Sequence, residues 1–301
     1  MSAKETKNIA ASVLAKLNTL NQRLRFKYAA RVANWLITAS TANARRTLRQ
    51  HGKLSILIDN TVLAHGITHE TAWISTRPQK WSSHLIQTGY AARIPVRAIN
   101  DSSIEYQHIR YFPGIASLAR GGLLSLKTSA ELIDERFRQP GGRFSGYGYL
   151  DHNIFSDVNI ESVDGYVGPT MVPSHLRSPS AAEQQRTRLQ NKDDPDYAAL
   201  VHLLGPKNSQ DAWHLLTAEK HGLFCFLTMD FPLCRSVLSR RLSEPLKSMR
   251  TRVMTPLEFG QHFRLLPIHP LVLSYNSASF PVRADLFWPD GRRQRNRQRN
   301  R

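Results

Sequence analysis

Four acidic residues of this 301-residue chain fall where strands are predicted to end or helices to begin: Asp59, Glu135, Asp211 and Asp230. In an open parallel sheet, such positions gather in the crevice outside the carboxyl ends of the strands. Carboxylates that converge on one crevice repel each other unless a cation joins them, and Mg²⁺ or Mn²⁺ is the usual hard divalent ion with oxygen ligands. Such an ion activates water and stabilises the charge that develops on a phosphate, so the pattern predicts metal-dependent phosphate chemistry.

Three of these acids also have local structural interpretations. Asp211 lies in the first turn of a predicted helix, where the helix dipole favours a negative charge whatever its function. Asp230 can cap a helix that has Pro232 in its first turn. Asp59 ends an apolar strand, and it has no capping role unless a helix begins at once. Asp59 is therefore the hardest of the three to explain by structure alone.

The choice between two glutamates of one predicted helix, Glu131 and Glu135, is left open by the sequence. Glu131 lies three residues after Thr128 and fits a capping box with it. Glu135, one helical turn further on, has no such local role, so we expect it to be the metal ligand.

The elements that must position these acids alternate between strands and helices. Short apolar runs predict strands at Leu54–Ile58, Leu123–Lys127, Leu223–Leu227 and Thr251–Met254. Helices are predicted from Pro113 to Arg120, from Thr128 or Ser129 to about Arg138, from Asn208 to about Lys220, and from Asp230 to about Leu242. This alternation predicts an α/β fold with a mostly parallel central sheet.

Most of the net charge of +18 lies at the two ends of the chain. Residues 1–50 hold ten basic residues and one acidic residue, and residues 1–51, which contain no Gly or Pro, show a helical apolar stripe. Residues 291–301 hold six arginines and no acid. These ends predict a polyanion partner such as RNA, DNA or an acidic protein, with a solvated tail and a solvated helix face as the alternative explanation. The candidate phosphate-binding residues in the tail are Arg292, Arg293, Arg295 and Arg297.

Five segments, in the correct order, resemble the PIN-domain nuclease family: Ile56–Leu63, Leu123–Ser129 with Ala130–Glu135, Asp211–Ala218, Phe226–Asp230 and Val253–Phe259. The resemblance implies a PIN-like three-layer sandwich over residues 52–262, with an insertion at about 141–200. A basic helical extension (1–51) precedes this domain, and an extension with the Arg-rich tail (263–301) follows it.

The same resemblance implies an endoribonuclease in which Asp59, Glu135, Asp211 and Asp230 hold Mg²⁺ or Mn²⁺. Cleavage would leave a 5′-phosphate and a 3′-hydroxyl. Asn60 and Thr228 would orient the carboxylates. Compact members of the family are often toxins held by an antitoxin, so an antitoxin or another regulatory protein is an expected partner.

Two other functions stay open. A PIN-like scaffold could bind RNA or a protein without cutting it, and a phosphatase could use a different α/β fold. His65 and His69, spaced i, i+4, could bind a metal from one helix face, but no third ligand is evident. Only two cysteines, no signal peptide and no apolar run long enough to span a bilayer favour a cytoplasmic protein with no membrane partner. The sequence leaves self-association open.

Overall fold

Five parallel strands form the central sheet of the computed structural model, which describes residues 28–75, 79–86, 88–98, 100–165, 179–270, 272–273 and 279–281. In chain order they are β1 (Leu54–Ile58), β6 (Leu124–Thr128), β8 (Ile160–Ser162), β9 (Cys225–Leu227) and β10 (Arg252–Met254). Their spatial order is β10-β9-β1-β6-β8, and every neighbouring pair is parallel. The strand that ends before Asp59 is therefore the middle one.

Helices cover both faces of this sheet, and alternate residues of β1 therefore pack in two different cores. Ile56 and Ile58 pack in one hydrophobic cluster, and Leu57 packs in the other. The helices are α1 (28–40), α2 (Ala42–His51), α3 (Asn60–His65), α4 (Ile104–Ile109), α5 (Phe112–Arg120), α6 (Ala130–Phe137), α7 (Gly142–Ser145), α8 (Ala181–Gln190), α9 (Pro195–Leu204), α10 (Ser209–Lys220), α11 (Phe231–Ser239) and α12 (Pro256–His262). The prediction of an α/β fold with a parallel central sheet is confirmed.

The first cluster lies beneath α2, α5 and α12, which contribute Leu48, Ile115 and Phe259. The second lies beneath α9 and α10, which contribute Leu200 and Leu215. Burial of such side chains on both sides of the sheet is what makes β1 a continuous apolar run rather than an alternating one.

An antiparallel sheet occupies a part of the chain for which the sequence predicts no clear series of helices and strands. It is formed by β2 (Ile67–Ser75), β5 (Gly89–Pro95), β7 (His152–Asn153) and β11 (Ser279–Pro281), in the spatial order β11-β5-β2-β7. Between β2 and β5 in the chain, β3 (Gln79–Trp81) and β4 (His84–Ile86) form a hairpin that is a separate two-stranded sheet. His65 ends α3 and His69 lies in β2, so the two histidines do not share a helix face, and that metal interpretation is wrong.

The segment predicted as an insertion, residues 141–200, contributes to the central sheet and to one of the cores. Its strand β8 pairs in parallel with β6 and forms one edge of the sheet. Its helices α8 and α9 bury Leu189 and Leu200 in the second cluster.

The described part of the N-terminal extension consists of two helices that meet at Thr41. Helix α2 buries Ala44 and Leu48 in the first cluster. Residues 1–27 and the arginines of the tail, Arg292, Arg293, Arg295 and Arg297, lie outside the described residues. Within the described ranges, no helix combines the length and the apolar character needed to cross a bilayer.

Candidate active site at the carboxyl edge of the sheet

The four predicted acids lie in, or directly before, helices that begin at the same edge of the sheet. Asp59 follows β1 directly and occupies the residue before α3, and Asp230 occupies the residue before α11. Asp211 lies in the first turn of α10, and Glu135 lies in α6, the helix after β6. Because β1, β6 and β9 are parallel, α3, α6 and α11 leave the sheet at one edge. Helix α10 precedes β9, and the charges of Asp59, Glu135 and Asp230 act on Asp211 in its first turn, which therefore lies at the same edge.

Asp59 takes the N-cap position of α3, yet its carboxylate does not cap the helix. Its Oδ2 instead accepts hydrogen bonds from Thr61 Oγ1 at 2.5 Å and from Thr228 Oγ1 at 2.6 Å. Both described hydrogen bonds to the carboxylate use Oδ2, so Oδ1 remains available for a ligand. The hydroxyls therefore fix the orientation of the Asp59 side chain without using both of its oxygens.

Burial raises the pKa of Asp59, and this effect outweighs the two hydroxyl hydrogen bonds that lower it. Burial is also the main cause that raises the pKa of Asp211 to about 6. The negative charges of Asp230, Asp59 and Glu135 act on Asp211 in the same direction. The structure thus brings the four acids close enough for their charges to interact.

A buried histidine, His214, lies among these acids and was missed from the sequence. Its side chain is 3% exposed, and its Nε2 lies 2.9 Å from Oε1 of Glu135. Burial alone would lower the pKa of His214, but the charges of Glu135, Asp59 and Asp211 raise it to about 9. The imidazole is therefore protonated at neutral pH and offsets part of the negative charge.

The two nitrogens of His214 differ in their partners. Nε2 is bound to Glu135, whereas Nδ1 is buried with no hydrogen-bond partner among the described residues. A buried donor without a partner costs free energy, and such groups are rare in folded proteins. Asp211 and His214 are spaced i, i+3 on α10, which places both on one helix face, so spacing alone could have pointed to His214.

The hydrogen bond to His214 and its positive charge lower the pKa of Glu135, although burial acts in the opposite direction as the largest single effect. The Gln185 side-chain amide lies 3.5 Å from the same Glu135 oxygen. Among the described residues, no Lys or Arg forms an ion pair with any of the four acids. In the part of the chain that the structure describes, His214 is the base that bonds to Glu135, and the charge of Arg138 also lowers the pKa of Glu135.

Glu131, the alternative to Glu135, has a different partner from the one expected. The residue that caps α6 is Ser129, whose hydroxyl accepts from the Leu132 amide, so the capping box with Thr128 is wrong. The Glu131 carboxylate instead binds Arg188 of α8, with N–O distances of 3.2 and 2.9 Å. Only Glu135 faces His214 and the other acids.

The two residues predicted to orient the carboxylates lie in different surroundings. Thr228 donates to Asp59, as described above. The side-chain amide of Asn60 donates to the carbonyl oxygen of Leu132 at 2.7 Å, which ties α3 to α6 rather than orienting an acid directly. Thr61, two residues after Asp59, makes the contact that was expected from Asn60.

The carboxylate oxygens of this site suit a hard divalent cation, although they do not form a complete set of metal ligands. In the ranges that the structure describes, no three His, Cys, Asp or Glu side chains are placed so that together they could hold a metal ion. Mg²⁺ usually keeps several waters and binds through one or two carboxylates, so it does not need such a cage. Asp59 is buried, the other three acids are partly buried, and none of the four forms an ion pair with a Lys or Arg among the described residues, which fits that mode of binding.

Comparison of the chain with protein-family models, with curated proteins and with solved structures gave no match. The resemblance to PIN-domain nucleases accordingly rests on the quoted segments and on the fold class alone.

Proposed function

We propose that this protein is a metal-dependent endoribonuclease that hydrolyses phosphodiester bonds at the carboxyl edge of its parallel sheet. One observation carries the proposal: Asp59, Glu135, Asp211 and Asp230 interact in one place with no Lys or Arg ion pair among the described residues. Keeping like charges together costs folding free energy, and such arrangements cluster at functional sites. Asp230 also caps α11 through its carboxylate, as the sequence predicted, and Asp211 also lies in the first turn of α10, whereas Asp59 and Glu135 have no such local role.

The four acids would hold Mg²⁺ or Mn²⁺, which when bound supplies a Lewis acid for the phosphate and lowers the pKa of water. Thr61 and Thr228 hold Asp59 in one orientation. His214 holds Oε1 of Glu135 and keeps part of the negative charge compensated. The expected products carry a 5′-phosphate and a 3′-hydroxyl, as in the family that the sequence resembles.

Binding of the RNA backbone would be shared with the cationic ends. Arg292, Arg293, Arg295 and Arg297 would contact phosphates, which adds affinity without sequence information. The antitoxin or regulatory partner implied by the family resemblance belongs to the same proposal, since a free endoribonuclease needs restraint.

A second function, binding of RNA or protein without cleavage, is favoured by the lack of a preformed three-ligand metal group among the described residues. Incubation of the full-length protein with end-labelled RNA separates the two. Under the nuclease proposal, Mg²⁺ or Mn²⁺ gives cleavage that a chelator stops, and the new ends are a 5′-phosphate and a 3′-hydroxyl. RNA that is bound but stays intact with either ion would overturn the nuclease proposal and support the scaffold.

A further inference from the structure

A cavity of about 330 Å³ lies at the far end of α3, outside the acid cluster. Its walls come from α3, one end of the β2–β5 pair, α7 and the loop that follows α7. Apolar side chains such as Val96 and Ile109 line it together with a similar number of polar and charged side chains. Its size lies at the lower end of the range for sites that bind one small organic group.

Charged side chains of both signs line this cavity. Two are the arginines Arg97 and Arg143, and two are the carboxylates of Glu70 and Asp151. Arg97 is held by Asp101 at 3.2 Å. The described hydrogen bond of Arg143 goes to the neutral side-chain oxygen of Gln139, at 2.8 Å, so its charge has no carboxylate partner among the described residues. An anionic group is therefore the natural partner of Arg143.

A tyrosine at the cavity, Tyr147, is both exposed and fixed. It is 63% exposed, yet its ring lies against Gly142, where an added Cβ would come within 2.2 Å of Cδ1. The loop beneath it is held by Asp151, whose carboxylate accepts from the backbone amides of Tyr147 and Gly148 and from both donors of Thr71. A rigid, exposed aromatic ring beside an arginine is the usual platform for an unpaired base.

Two elements connect the cavity with the acids. Helix α3 starts directly after Asp59, and its last residue, His65, lines the cavity, so the separation along the helix is about 9 Å. Helix α6 carries Glu135, and Gln139 just beyond it accepts from Arg143. A short stretch of a single strand can therefore reach from one place to the other.

We propose that this cavity binds one nucleotide of a single-stranded RNA, with its base against Tyr147 and its phosphate at Arg143, while the adjoining part of the strand crosses the four acids. The proposal rests on the proposed nuclease function for its substrate. Glu70 in the same wall can accept a hydrogen bond from an amino group of the base. A duplex cannot place a base in the cavity without unpairing it, so the cavity selects single strands.

The test measures binding by the full-length protein in a chelator, so that cleavage does not interfere. The probes are a short fluorescent single-stranded RNA and adenosine 5′-monophosphate as its competitor. Tyr147→Ala and Arg143→Gln should each weaken RNA binding about tenfold, whereas Tyr147→Phe should retain it because the ring is kept. Matched controls are Tyr149→Ala, at a residue that is 80% exposed and outside the cavity wall, and Arg241→Gln, at another exposed arginine.

The cavity proposal also requires that adenosine 5′-monophosphate displace the RNA from the wild-type protein, and that Tyr147→Ala leave binding of a duplex of the same sequence unchanged. Equal losses for Tyr147→Ala and Tyr149→Ala would overturn it. Cleavage that is insensitive to Tyr147 and Arg143 would overturn the cavity alone. Binding that depends on Tyr147 in a protein that cuts no RNA would overturn the nuclease function and leave the cavity standing.

Discussion

Helix α6 presents two sets of acids whose surroundings differ. Glu131 and Asp134 both bind Arg188 of α8, at 2.9 and 3.1 Å. Glu135, one turn beyond Glu131, has no such arginine and instead faces His214, itself surrounded by Asp59 and Asp211. In the first set, Arg188 and, at 3.8 Å from Asp134, Arg138 offset the two carboxylates. The second set, which is only partly buried, keeps net negative charge.

Residue type and helix position alone do not decide the role of an acid on α6. The role depends on the helix that lies opposite. Helix α8 places an arginine beside Glu131 and Asp134, and α10 places a histidine and a further aspartate near Glu135. A neutralised carboxylate contributes to the fold, because removing its partner leaves a buried charge. A carboxylate kept among like charges lowers stability, and its retention points to chemistry.

The largest expected effect is on cleavage, from Asp59→Asn. Loss of one carboxylate should lower the cleavage rate about a thousandfold or more, because the charge that would hold the metal is gone. The amide oxygen can still accept from Thr61 and Thr228, and one of several like charges is removed, so the unfolding free energy should be unchanged or higher. Cleavage assays and urea unfolding measure the two. A variant that still cleaves would remove Asp59 from the site.

A smaller and more discriminating effect comes from the two glutamates of α6. Glu135→Gln should lower the cleavage rate about a hundredfold, since it removes a carboxylate of the unneutralised set. Glu131→Gln should retain most of the activity, because its carboxylate serves Arg188, which keeps Asp134 as a partner. Initial rates at saturating RNA distinguish them. The reverse ranking would move the catalytic glutamate one turn upstream.

The elements and capping residues that the sequence predicts correctly are those whose signal lies within a few neighbouring positions. Strand β1 was predicted at its observed bounds, and Ser129 was one of the two caps considered for α6, because apolar runs and capping residues act over a few positions. The antiparallel sheet was not predicted, since β2 pairs with β7, about eighty residues away, through a register shift. Arg188 has no local signal at all, because its partners lie more than fifty residues earlier in the chain.

Loss of the ion pair that Arg188 forms with Glu131 and Asp134 should change the stability of the fold rather than the rate of cleavage. Arg188→Met leaves two carboxylates without their main cation, and Asp134 is only 1% exposed. We expect the unfolding free energy to fall by about 2 to 3 kcal/mol, less than for a fully buried pair because Arg188 itself is partly exposed. Urea unfolding with Arg186→Met as control tests this, since Arg186 lies on the same helix but is exposed. Equal midpoints for the two variants would show that the ion pair contributes little.

The effect that is smallest per pH unit is a pH dependence that belongs to the unneutralised set alone. The charges of Glu135, Asp59 and Asp211 overcome the effect of burial and raise the pKa of His214 from its ordinary 6.5 to about 9. The folded state then binds a proton that the unfolded state has released between these values. This stabilisation is complete below about pH 6.5 and is lost as the pH rises through about 9.

Unfolding free energy measured in a chelator should therefore decrease over this pH range, with a slope of at most about 1.4 kcal/mol per pH unit from one group. His214→Gln should remove this slope, whereas His221→Gln, at the exposed residue that ends the same helix, should keep it. A wild-type stability that is flat from pH 6.5 to 9 would mean that His214 is neutral in the fold. The four acids would then lack the positive charge of His214. Their difference from Glu131 and Asp134, which bind Arg188, would depend on a bound metal ion instead.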